Sequence, residues 1–242
     1  MISAAANRAD ADPLAGLDDV PWADLTHAYG SASDVPDLLR ALETGPEDAA
    51  DRAMHDLFGN IWHQGTVYPA TPHAVPFLLN LLAEEPPWAE QIAVLLGEIA
   101  DGHGYMLVHA SSLSSLRFNY EKIAADRGTT VEAEMAAERT VIAACRAAVA
   151  AGAEALAPFL IHTEGRVGDE YIVRETVARG LARCAAIRPE MKDWVLDALA
   201  EETDPRMPAE LDGRVDDLPW LAAAVKEKCK RLGPADWEAN DD

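Results

Sequence analysis

The sequence predicts an all-α protein, and three observations carry that expectation. A pattern returns along the chain: Val35-Pro36-Asp37-Leu38-Leu39, Val75-Pro76-Phe77-Leu78-Leu79 and Ala157-Pro158-Phe159-Leu160-Ile161. Pro36 and Pro76 stand 40 residues apart (76 − 36), and Pro158 a further 82 (158 − 76), close to two such periods. Self-similarity at this length marks stacked helix pairs. Good helix formers, alanine above all, dominate the composition, and aromatic residues make up only 6%. No useful length of chain alternates apolar and polar residues with period two, as a half-buried strand would.

Each element follows in order. Residues 1–19 are small, acidic and broken by Pro13 and Gly16, and read as a mobile lead-in. A short helix is expected over 22–29, with Trp22, Leu25 and Tyr29 on one face. Asp34 is the expected N-cap of the first repeat helix, with Pro36 in its first turn and Leu38, Leu39 and Leu42 as its buried stripe. Gly45-Pro46 breaks that helix and opens a second, reaching about Trp62 with Ala50, Ala53, Met54, Leu57, Phe58 and Ile61 inward.

The second pair starts at Thr71, as the cap, with Pro72 at its first position. Pro76 one turn later makes that start irregular or kinked. Phe77, Leu78, Leu81 and Leu82 face inward until Pro86-Pro87. The partner helix, over 88–100, carries Ile92, Leu95, Leu96 and Ile99, and Asp101-Gly102 stops it.

Residues 102–130 form an irregular insertion: Gly102-His103-Gly104-Tyr105, a serine-rich stretch at 111–115, and a helix over 116–125. Thr130 caps a long helix over 131–151, whose Glu132 and Glu134 complement its dipole. Gly152 interrupts it, and a short helix over 154–162 carries the third proline motif. A helix over 169–187 follows, with Ile172, Val173, Val177, Leu181 and Cys184 inward. Helices over 189–201 and 218–232 close the array around an acidic loop containing Pro205, Pro208 and Gly213. One domain thus spans 20–232, and an acidic tail occupies 233–242.

Charge narrows the function classes. Asp and Glu number 42 against 20 Lys and Arg, a formal charge of −22. That field opposes nucleic acid and anionic membrane surfaces and favours encounter with a basic partner, besides keeping the chain well solvated. No apolar stretch approaches the roughly 20 residues of a membrane span. The first twenty residues lack the basic and apolar regions of a secretory signal. Cys145, Cys184 and Cys229 are too far apart for a CxxC pair and read as buried apolar side chains in a reducing compartment. A cytoplasmic location is expected.

Aligning the pairs extends the likeness beyond proline. The second helices close as Leu57-Phe58-Gly59-Asn60-Ile61 and Leu95-Leu96-Gly97-Glu98-Ile99, and a small residue recurs as Ala182 in Leu181-Ala182-Arg183-Cys184. The small residue has a packing reason, since it lets adjacent helices approach closely. A first helix with an early proline, a short turn, and a second helix ending Leu-Gly-x-Ile resembles the HEAT repeat, well over 34–101 and fairly over 152–202. The stretch His63-Gln64-Gly65-Thr66-Val67-Tyr68-Pro69-Ala70-Thr71, with Trp22 to Gly30 before it, also resembles HEAT-like proteins of GC-rich actinobacteria. The resemblance implies a right-handed α-α superhelix of roughly four to five helix pairs and binding of a partner. It transfers no catalytic residues.

Candidate site residues fall in two groups. His63, Gln64, Thr66 and Tyr68 lie in a loop between repeats that is richer in hydrogen-bonding side chains than a linker requires. His103 and Tyr105 follow the next second helix, and equivalent loops of a solenoid line up along one edge. Arg174, Arg179 and Arg183, with Arg166 and Arg188 nearby, form either ion pairs with Glu170, Glu175 and neighbouring acidic residues or a local anion-binding strip.

His63, His103 and His109 could together hold a metal, but their spacing lacks an HExxH signature and no metal or cofactor is assigned. GxSxG, GxxxxGK[ST] and GxGxxG patterns are absent. The leading expectation is a non-catalytic protein-protein interaction scaffold, in one version an immunity- or antitoxin-like binder of a basic protein. The alternative is a small-molecule or metal-binding HEAT-like protein with hydrolase or glycosylase-type activity centred on His63, Tyr68, His103 and Tyr105.

Overall fold

The computed structural model describes residues 12–110, 114–161 and 170–234. Of these, 70% are helical and 4% extended. The expectation of an all-α chain holds at this level. The described residues form eleven α-helices: α1 (Val35–Thr44), α2 (Glu47–Asn60), α3 (Thr71–Ala83), α4 (Ala89–Asp101), α5 (Tyr105–His109), α6 (Ser114–Asp126), α7 (Val131–Ala151), α8 (Glu170–Cys184), α9 (Glu190–Glu201), α10 (Arg206–Leu211) and α11 (Pro219–Leu232). Two antiparallel hairpins interrupt them, β1 (Thr26–His27) with β2 (Gly30–Ser31) and β3 (Trp62–His63) with β4 (Thr66–Val67).

Packing follows chain order. Gly45 and Pro46 fold α2 back on α1, and α1 and α2 also touch α3 and α4. The opposite side of α3 and α4 is covered by α7 and α8, and α8 packs in turn on α9 and α10. One continuous core runs through these layers from Leu14 to Val225. Leu78, Leu81, Leu95 and Leu96 are all buried in it. A smaller core of Met106, Ala110, Ala124 and Val131 joins α5 and α6 to the start of α7.

Helices α4 and α8 approach each other closely. A Cβ added to Gly97 would lie 2.7 Å from the Thr176 carbonyl oxygen, and one added to Gly180 would lie 2.6 Å from that of Gly97. The partner of Gly97 is therefore Gly180, two residues before the Ala182 that the repeat alignment singles out. Gly59 has a different role from its repeat equivalent: an added Cβ would meet only the Tyr29 ring edge, 4.0 Å away.

Several local expectations are corrected. The expected helix over 22–29 is a single 3₁₀ turn, Trp22–Asp24, followed by the β1–β2 hairpin. Asp34 stands at the N-cap of α1 but makes no capping bond, because its two carboxylate oxygens serve His27 and Asn60. Thr71 is the first residue of α3 rather than its cap, and its hydroxyl accepts from the Tyr68 N–H and donates to the Ile61 carbonyl. Thr130 does cap α7, accepting the Ala133 N–H at 3.1 Å.

The third proline motif forms 3₁₀ turns, Ala153–Ala155 and Ala157–Leu160, in place of an α-helix. So short a segment, holding Pro158, gains little from α-helical nucleation and closes i→i+3 bonds instead. Ile172 is 41% exposed, not inward. Pro205 and Pro208 belong to or border α10, which occupies the expected acidic loop.

Of the lead-in, residues 12–19 are anchored: Leu14 and Leu17 are buried, Asn80 donates to the Pro13 carbonyl, and the Trp22 indole donates to that of Leu17. Residues 1–11, 111–113 of the serine-rich stretch, 162–169 with Arg166 and Asp169, and 235–242 of the tail lie outside the described residues.

Candidate functional site

The loop carrying His63 to Tyr68 folds as a hairpin because of its tip. Gln64 and Gly65 both take positive φ, 50° and 87°, the pattern of a two-residue turn that matches strand twist. His63 then pairs with Thr66 and Trp62 with Val67. The segment after α4 adds itself to this hairpin: the His103 N–H donates to the Gly65 carbonyl at 2.9 Å, and the Val67 N–H to the His103 carbonyl at 3.1 Å. The first hairpin joins from the other side, with Ala70 N–H donating to Thr26 and Ala28 N–H to Asn60. Three inter-helix segments thus meet along one edge.

Side chains on this edge divide by burial. Thr66 is buried, Gln64 is exposed, and His63, Tyr68 and His103 are half-buried. The Tyr29 ring, 70% exposed, stands edge-on to His63 with centroids 5.5 Å apart. Burial pushes the Tyr68 phenol up, nearby Tyr29 adds to the shift, and a hydrogen bond with Thr66 opposes it. The His103 ring lies against Gly65, where no Cβ could fit, and its Nδ1 is buried without a hydrogen-bond partner. Tyr105 is exposed beside the His109 ring, centroids 4.6 Å apart. Glu138 of α7 holds the start of α5 by accepting the Met106 and Leu107 N–H groups at 2.8 and 2.9 Å. Gly104 leaves room for that carboxylate.

His63, His103 and His109 each face a different neighbour: Tyr29, Gly65 and Tyr105 respectively. Among the described residues no group of three or more His, Cys, Asp or Glu side chains is arranged to hold a metal ion.

The arginines of α8 are ion-paired inside the molecule and do not form an open strip. Arg174, 3% exposed, donates to Glu202 at 2.6 Å. Arg179, 5% exposed, meets Glu175 and Glu98 at 2.8 Å each, and Asp101. Arg183 reaches Asp101 at 2.6 Å, and Asp217. Burial works against the Arg179 charge, yet Glu175, Asp101 and Glu98 together push its guanidinium up. Burial pushes the Glu98 carboxyl up in spite of Arg179. The cluster clasps α4 to α8.

No family model, no curated protein and no solved structure matches this chain.

Two sets of residues emerge from the geometry alone. Tyr29 belongs to the edge, placed there by a turn whose Tyr29-Gly30 dipeptide is a local signal that the helical spacing from Trp22 outweighed. Arg139 and Arg146 stand two turns apart on one face of α7 and line a cavity of about 750 Å³ beside His103. Their i, i+7 spacing in a chain so poor in cations was the available signal.

Proposed function

We propose that this chain is a HEAT-like α-solenoid that acts as a non-catalytic scaffold and binds a protein partner with a basic surface. The observation that carries the reading is the edge built from Thr26–Ser31, Trp62–Val67 and the Gly102–Tyr105 segment, tied together by backbone hydrogen bonds. It presents Tyr29, His63 and Gln64 from a rigid support, and aromatic side chains on rigid loops supply contact area at low entropic cost. Layer-by-layer packing from α1 to α11 supports the solenoid reading. The −22 charge suits a cationic partner by steering encounter. An immunity- or antitoxin-like role is this same action, occupancy of a basic effector's surface.

The test is titration calorimetry against the partner recovered by affinity capture, comparing wild type with Tyr29→Ala/Gln64→Ala. Affinity should fall by about 2 kcal/mol or more, the scale of an aromatic anchor, and should weaken as salt is raised. Equal affinity for the folded double variant sinks the edge as the docking site. Affinity that is indifferent to salt sinks the basic partner.

A further inference from the structure

We propose that the cavity bounded by the end of α4, the face of α7, the end of α8 and the turn before α11 binds a small ligand with an apolar body and a terminal oxyanion, gripped by Arg139 and Arg146. The cavity adjoins the hairpin edge, since Gly102 and His103 belong to both, and the proposal does not depend on a protein partner.

At about 750 Å³ the cavity is within the ~300–1,000 Å³ typical of small-molecule sites. One wall is apolar, formed by Ile142, Ala143, Ala186, Ile187 and Leu218, and Ile187 is left 48% exposed there. The cations are concentrated on α7. A spacing of seven residues puts Arg139 and Arg146 on the same face, about 10 Å apart along the helix.

What distinguishes these two arginines from Arg183 is that no carboxylate is in ion-pair contact with them, although Asp101 and Asp217 also line the cavity and act on Arg146 from further away. Arg183 also lines the cavity, but Asp101 and Asp217 already engage it. Neither Arg139 nor Arg146 forms an ion pair among the described residues. Arg146 spends only its Nε–H, on the Ala100 carbonyl at 3.0 Å, which orients the guanidinium and leaves its outer N–H groups for a ligand. Burial lowers its affinity for a proton, and the neighbouring Arg183 charge lowers it further. A partly desolvated guanidinium beside a second one is stabilised by an incoming oxyanion, which it can receive through two parallel hydrogen bonds. In a chain with 42 acidic residues, an arginine half-buried without a carboxylate partner is conspicuous.

Carboxylates and phosphate esters share this chemistry, and the test separates them. The full chain is titrated calorimetrically, in phosphate-free buffer, with phenyl phosphate, benzoate and inorganic phosphate. At least one of the two aromatic anions should bind; the tighter of them names the oxyanion. Arg139→Gln and Arg146→Gln should each weaken that binding about ten-fold or more, the loss expected for a charge-assisted contact. Arg52→Gln, at an exposed position of α2, should change nothing. Arg139 is exposed, so its substitution should leave the fold intact and keep the test decisive if Arg146→Gln fails to fold. Absence of binding by both aromatic anions, or binding that survives Arg139→Gln unaltered, overturns the proposal. Inorganic phosphate binding as tightly as phenyl phosphate overturns the role given to the apolar wall.

Discussion

His27 accepts the Tyr29 N–H at Nδ1, 3.0 Å away, so its proton sits on Nε2 and is donated to Asp34 at 2.9 Å. Asn60 donates to the other Asp34 oxygen at 2.7 Å. An imidazole bonded at both nitrogens therefore sets the turn that exposes Tyr29. None of this was legible at Asp34, whose position before Pro36 reads as a helix cap; tertiary partners claimed the carboxylate. Buried leucines were legible because apolar spacing reports one face directly. The ion pairing of Arg174 and Arg179 with Glu170 and Glu175 was legible as one of two readings, but their burial was not, since a charged residue reads as solvated until a partner distant in sequence covers it. The thiols of Cys145 and Cys184 carry a testable consequence. Burial pushes both up to about 12. Between roughly pH 9 and 12 the folded chain then binds more protons than the unfolded one, so stability falls as pH rises, by up to about 1.4 kcal/mol per pH unit per thiol. Urea unfolding from pH 8 to 11 should show that slope, and Cys145→Ala/Cys184→Ala should flatten it. A slope unchanged in the double variant would place the alkaline loss on other groups.

Between elements, the α4–α8 contact concentrates two unlike devices. Gly97 and Gly180 bring the backbones together, and Glu98, Asp101, Glu175, Arg179 and Arg183 ring the contact with ion pairs. The buried charges contribute less net stability than their number suggests, because desolvation offsets most of the attraction. Their removal one at a time is costly, however, since it strands the remainder. The repeat pattern made Gly97 legible as a packing residue, but it also equated Gly97 with Gly59, and the structure separates them. Gly97→Ala drives a Cβ into the Thr176 carbonyl, backbone that cannot swing away, and should cost about 1–3 kcal/mol. Gly59→Ala meets nothing closer than 4.0 Å. It should be neutral or stabilise by up to about 1 kcal/mol, through helix propensity. Chemical denaturation of the two variants checks the opposite signs. A Gly97→Ala protein as stable as wild type would mean that α4 and α8 are further apart in solution.

For the whole molecule, the informative feature is that one core runs through successive layers. The proline motifs and the apolar spacing after them made the helices over 35–101 legible. The pattern failed at Ala157-Pro158, where the motif survives in sequence but its helix does not, and it could not describe α5 and α6, which have their own small core on α7. Leu96 is fully buried in α4, a helix that packs on α2, α3, α7 and α8. Leu96→Ala should cost about 2–5 kcal/mol, the transfer and cavity penalty of a large core deletion. Because each layer is stabilised by the next, that loss should be shared: the protein should still unfold in one transition, at a lower midpoint. Slow-exchanging amides of α1, α2, α7 and α8 should lose protection together with those of α3 and α4. Hydrogen exchange under native conditions measures this. An unchanged thermal midpoint would misplace the buried face of α4, whereas loss of protection limited to α3 and α4 would mean that the layers unfold independently despite their shared core.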